Sequence, residues 1–94
     1  MADLQFYQEP ERLVMVADGK TPLGEITWVL SDDLMIINHT FVVEDYRGAG
    51  IGEALVAQAV AIAKEKKLHV LPLCPFAKAE FDKNVAYQEL LRKS

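Results

Sequence analysis

The sequence has one cysteine, Cys74, and two histidines, His39 and His69. A single thiol excludes an internal disulfide framework and any multi-cysteine metal centre. The spacing of positions 39, 69 and 74 matches no compact zinc pattern, so no metal is expected. No apolar stretch approaches the roughly 18 residues of a membrane-spanning helix. The opening Met1-Ala2-Asp3-Leu4-Gln5 lacks the basic block and apolar core of a secretion signal. A cytoplasmic location without a membrane partner is therefore expected. Bases are outnumbered, ten against fourteen acids for a net charge of −4, and they form no stripe, which argues against nucleic acid. No Gly-Lys-Ser/Thr follows Gly48-Ala49-Gly50-Ile51-Gly52, which excludes a Walker loop there.

What remains is ordinary globular composition, 51% apolar and 26% charged over 94 residues. One domain spanning 1–94 is expected. Short strands are predicted at Phe6–Gln8, Arg12–Ala17, Leu23–Leu30 and Leu34–Val43. Asp18-Gly19 and Ser31-Asp32-Asp33 provide tight turns, so these four strands should form an antiparallel meander. The period then changes. Ile51, Leu55, Ala59, Ile62 and Ala63 recur at helical spacing, which predicts a helix over about 50–66. A fifth strand at Leu68–Leu73 should lie parallel to the fourth, because a helix connects them. Pro72 points to an edge or irregular position there. Phe76–Asp82 and Val85–Arg92 read as short helices. Trp28 reads as packing, as do Phe76 and Phe81. His69 reads as an exposed strand end. The fold class is thus α/β in the α+β sense: a mostly antiparallel sheet with one parallel pair.

The junction of the fourth strand and the long helix carries the chemistry. It reads Arg47-Gly48-Ala49-Gly50-Ile51-Gly52. Glycines let main chain approach a ligand closely. The first amides of a helix lack internal partners, and the dipole makes that end positive. Strand, glycine turn and helix together make an anion site that needs no basic side chain. Residues 1–47 hold nine acids and three bases, whereas 48–94 hold five acids and seven bases. Ordinary decoration of helix ends explains that asymmetry equally well. A dinucleotide-binding fold places its glycines after the first strand of a repeated parallel unit, which this order does not offer.

The Arg-x-x-Gly-x-Gly turn, preceded by Val42-Val43-Glu44-Asp45-Tyr46, resembles the acetyl-CoA signature of the GNAT acetyltransferase superfamily. Three motifs in order resemble a small single-domain group within it: His39-Thr40, the glycine turn, and Pro72-Leu73-Cys74-Pro75-Phe76. The resemblance covers residues 38–76 and implies a minimal GNAT fold. It implies that acetyl-CoA enters between splayed fourth and fifth strands. By position, Val42 and Val43 would bond the pantetheine arm through their main chain. The amides of Arg47, Gly48, Gly50 and Gly52 would surround the pyrophosphate, with those of Ala49 and Ile51 beside them. A side chain at Gly50 or Gly52 should crowd that approach. GNAT enzymes are commonly about half as long again, with helices between the first strands that shape the acceptor site. Here that connection is a turn. Asn84 and Tyr87 echo an asparagine and a tyrosine found in such enzymes, at unconvincing spacing, and Tyr87 is assigned no acid role.

Cys74 falls where the fifth strand ends and a helix begins, with Pro75 suited to the first helical position. A sulfur at that N-cap would face free amides that favour thiolate. Cys74 is then an acetyl acceptor or a positioning group; the alternative is a buried apolar thiol. Strand alternation puts His39 with Met35, Ile37, Phe41 and Val43 on one face. His39 reads as a general base, a partner of Cys74, or a core histidine bonded to main chain. Strand register decides among these. The expected activity is transfer of acetyl from CoA to an unidentified amine, on a small molecule or a protein lysine. The alternatives are a non-catalytic acyl-CoA binding or sensing module, or a partner-binding protein with a vestigial CoA groove.

Overall fold

The computed structural model describes residues 4–91. Five strands form one sheet in the order β1-β2-β3-β4-β5: β1 Leu4–Glu9, β2 Arg12–Ala17, β3 Thr21–Ser31, β4 Leu34–Val42 and β5 His69–Pro72. The first four are antiparallel neighbours and β5 runs parallel to β4. Between β4 and β5 lie a 3₁₀ turn, Glu44–Tyr46, and the helix α1, Ile51–Glu65. Two helices follow β5: α2 Pro75–Lys83 and α3 Val85–Gln88. The fold is mixed α+β, with the predicted meander and parallel pair.

Local chemistry accounts for the turns. Asp18 (φ 55°) and Gly19 (φ 76°) both take the left-handed region, as a tight hairpin between twisted strands demands. The stripe of α1 then buries Leu55, Val56, Ala59, Val60, Ile62 and Ala63. These meet Leu13 and Met15 of β2, Ile26 and Trp28 of β3, Met35 and Ile37 of β4, and Val70 of β5. Each fully buried Leu or Ile there contributes about 1.5–3 kcal/mol. From α2, Ala77 and Phe81 close the same core.

β5 is a four-residue edge strand that ends at Pro72, as a residue without an N–H allows. α3 is shorter than the predicted Val85–Arg92, because the chain leaves the helix to cover the β5 edge. Val70 donates its N–H to Leu90 O at 2.7 Å, and Leu91 bridges Val70 in parallel. Arg92 lies outside the described residues. His69 is exposed at the start of β5, with Nδ1 3.3 Å from Asp33 Oδ2.

Candidate functional site

The sheet opens between β4 and β5. Their pairing runs from Leu34–His69 to Ile37–Pro72 and stops. The N–H groups of Leu73 and Cys74 both converge on Ile37 O, at 2.9 and 3.1 Å. Past that point β5 turns into α2, while β4 continues to Val42 without a neighbour on that side. The gap is a wedge whose walls are the second half of β4 and the start of α2.

The register of β4 corrects the expected face. Thr27 pairs with His39 and Trp28 with Ile37, so Asn38 is an extra residue. Such a bulge reverses the alternation beyond it. The Thr27 hydroxyl, 2.6 Å from Asn38 Oδ1, ties the bulge down. Met35 and Ile37 point into the core, but beyond the bulge Thr40, opposite Ile26, takes the inward position. His39 and Phe41 are exposed on the far face. His39 Nε2 lies 3.8 Å from Glu25 Oε2, and Glu25 Oε1 accepts hydrogen bonds from Arg12 Nε and Nη2. His39 therefore does not meet Cys74.

Thr40 does. Its Oγ1 lies 3.5 Å from Cys74 Sγ. Cys74 is the N-cap of α2 and Pro75 follows at the first helical position, as predicted. Burial pushes the Cys74 thiol up. The Thr40 hydroxyl and the nearby main-chain N–H groups of Ala77, Phe76 and Thr40 outweigh it, and the thiol sits below its ordinary value. Cys74 is buried, 8% exposed. Among the described residues no three His, Cys, Asp or Glu side chains cluster as metal ligands.

At the other end of the wedge lies the glycine turn. Gly48 (φ 86°) and Gly50 (φ 85°) are left-handed, and Gly50 is the N-cap of α1. The expected crowding holds for only one of the two glycines named. A Cβ at Gly50 would meet nothing within 4 Å; its requirement is backbone angle. A Cβ at Gly52 would fall 2.7 Å from the Phe76 ring. The amides also divide. Those of Arg47 and Ala49 donate to Glu44 O and Tyr46 O, both at 3.2 Å. Those of Gly48, Gly50, Ile51 and Gly52 have no main-chain acceptor and remain for a ligand. Val43 is engaged at both ends, donating to Leu23 O at 2.9 Å and accepting from Tyr46 N at 3.0 Å. Alternation turns the main-chain groups of Thr40 and Val42 the other way, toward the gap. Arg47 Nε reaches Val42 O at 3.4 Å.

A cleft of about 280 Å³ runs from the glycine turn to Thr40, whose hydroxyl neighbours Cys74. Thr40, Phe41 and Val42 form its β4 wall, Gly48, Ile51 and Gly52 its helical end, and Phe76 its α2 side. Arg47 is the one base among the lining residues. An anion here would rest on amides and the dipole of a 15-residue helix.

Residues 12–90 match the family model described as GCN5-related N-acetyl-transferase. The chain belongs to that family. Its structure is similar to the solution structure of a GCN5-like candidate N-acetyltransferase from Staphylococcus aureus, with 29% identity and a TM-score of 0.79 over all of this chain and 93% of that one. It is also similar to the ribosomal-protein-S18-alanine N-acetyltransferase of Escherichia coli (14% identity, TM-score 0.67, 81% of this chain, 53% of that one). A third likeness is to a candidate streptothricin acetyltransferase from Bacillus anthracis in complex with acetyl coenzyme A (18% identity, TM-score 0.57, 87% of this chain, 67% of that one). The last two share the fold alone, and the chain spans about half of the Escherichia coli enzyme. No curated protein matches the sequence significantly.

Within this family frame, three site residues escaped the sequence reading. Thr40 entered only as half of a motif pair; the bulge that turns it inward leaves no mark in hydrophobic alternation. Phe76 was read as helix packing, and it packs instead on Gly52 at the cleft. Gly24 lets β4 and α1 close at the cleft end, since a Cβ there would lie 2.7 Å from Phe41 O. Its position in a strand was the available signal.

Proposed function

We propose that the chain binds acetyl-CoA in this cleft and transfers the acetyl group to an amine. The carrying observation is the set of unpartnered amides at Gly48, Gly50, Ile51 and Gly52, opening into a wedge that ends at a thiol with a lowered pKa. In this reading those amides hold the pyrophosphate, and the main chain of Thr40 and Val42 aligns the pantetheine arm. The acetyl-CoA complex of the Bacillus anthracis protein supports the ligand class. When bound, acetyl-CoA supplies an activated thioester.

Cys74 is the acyl acceptor. Its thiolate attacks the thioester carbonyl, and a bond from acetyl carbon to Sγ forms as the bond to the CoA sulfur breaks. A neutral amine then attacks the Sγ-bound acetyl group, loses a proton, and returns Cys74 as thiolate. His39 has no line to Sγ. It lies on the opposite face beside Glu25, so the proton lost by the amine passes to solvent and not directly to His39. The experiment is intact mass spectrometry after mixing with acetyl-CoA, then with an amine panel. One acetyl adduct, absent in Cys74→Ser and lost on adding amine, is expected. In His39→Ala the adduct should form and discharge unchanged. No adduct and no turnover would contradict the proposal.

A second reading, a non-catalytic acyl-CoA binding module, draws on the short connections at Asp18–Lys20 and Asp32–Asp33. They leave no helix beside the wedge to shape an acceptor site. Saturable CoA binding without adduct or turnover favours it.

A further inference from the structure

We propose that Thr40 is the positioning residue of Cys74: it holds Sγ in the wedge through its hydroxyl. The proposal deepens the reading of Cys74 as acyl acceptor, and rests on it for its meaning in transfer. Its physical content stands apart from any ligand.

Sγ lies 3.5 Å from the Thr40 hydroxyl, where β5 gives way to α2 and Cys74 is the N-cap. The contact ties β4 to the N-cap of α2 past the point where β4–β5 pairing has stopped, at Ile37 and Pro72. Thr40 both touches Sγ and lines the cleft. A hydroxyl can accept from the thiol and donate to the thiolate, so the contact survives ionisation. Serine keeps the hydroxyl. Valine keeps the shape of threonine and loses the donor; alanine loses both.

The test is the rate of alkylation of the protein's single thiol by iodoacetamide from pH 5 to 10, in the wild type, Thr40→Val and Thr40→Ser. Only thiolate reacts. A group that merely seals the site changes the rate at every pH alike, whereas a donor to the thiolate moves the midpoint. Thr40→Val should react about ten-fold more slowly at pH 7 with an unchanged rate at pH 10, the scale of one lost hydrogen bond to a charged group. Thr40→Ser should stay close to the wild-type midpoint. A Thr40→Val profile that superimposes on the wild type, or one that Thr40→Ser shares, overturns the proposal. If circular dichroism shows Thr40→Val unfolded, Thr40→Ala gives the same reading without a clash. Because no CoA is present, a shifted midpoint with no acetyl adduct would refute acyl transfer and keep Thr40's role; an adduct with an unshifted midpoint would do the reverse.

Discussion

The two halves of β4 share one backbone and differ in what lies beside them. From Leu34 to Ile37 the strand has a neighbour on each side and sends Met35 and Ile37, both 0% exposed, into the core. From Asn38 to Val42 it has a neighbour on one side only, and its inward residues are half-exposed to the cleft. A single extra residue, Asn38, separates the regimes. Before it the strand stabilises; after it the strand presents a hydroxyl and open main-chain groups to a thiol. The same backbone becomes a binding surface where a partner strand is withheld. The two halves should therefore respond differently to substitution.

The largest expected effect is in the paired half. Ile37→Ala should lower unfolding free energy by about 2–5 kcal/mol, because the buried site cannot collapse around the lost atoms. Chemical denaturation measures it, and the Cys74 alkylation midpoint should not move. On the ligand side, Gly50→Asp should weaken CoA binding about a hundred-fold, or ~2.7 kcal/mol by calorimetry. Aspartate tolerates the left-handed φ of 85° and has open space, so thermal stability should hold while a like charge faces the diphosphate. Gly52→Ala should cost about 1–3 kcal/mol of stability through overpacking on Phe76, and Phe76→Leu should restore part of it. A rescue that fails would place the requirement for Gly52 elsewhere.

The smallest effect separates Cys74 from its neighbours by pH. Its thiol is lowered in the folded state, so the thiolate stabilises the fold fully above the unfolded-state value of about 8.5. That contribution fades as pH falls through the lowered folded-state value. The stability gap between wild type and Cys74→Ser should thus narrow from pH 9 downward. A gap that widens would reverse the sign of the shift.

These contrasts also show what the chain reveals before folding. The meander, the crossover helix and the parallel fifth strand follow from turn residues and a change of period, and all are present. Cys74 at the N-cap before Pro75 is equally legible, because proline marks the first helical turn. The site face of β4 is not. Alternation continued past Asn38 puts His39 on the face of Met35 and Ile37, and the bulge puts Thr40 there instead, against Cys74. The roles of Gly50 and Gly52 are likewise indistinguishable in sequence; backbone angle governs one and the Phe76 ring the other. The amide of Arg47 is taken by the 3₁₀ turn and that of Val43 by β3, hydrogen bonds that only three-dimensional register assigns.

The central claim is that the free amides at the start of α1 grip the diphosphate of CoA. Titration of the ¹⁵N-labelled protein with CoA, followed by amide resonances, tests it directly. The largest shifts should fall on Gly48, Gly50, Ile51 and Gly52, with Thr40 and Val42 next and Arg12 and Glu25 on the far face unmoved. Resonances of the glycine turn that stay still at millimolar CoA, or shifts confined to the far face, would contradict it.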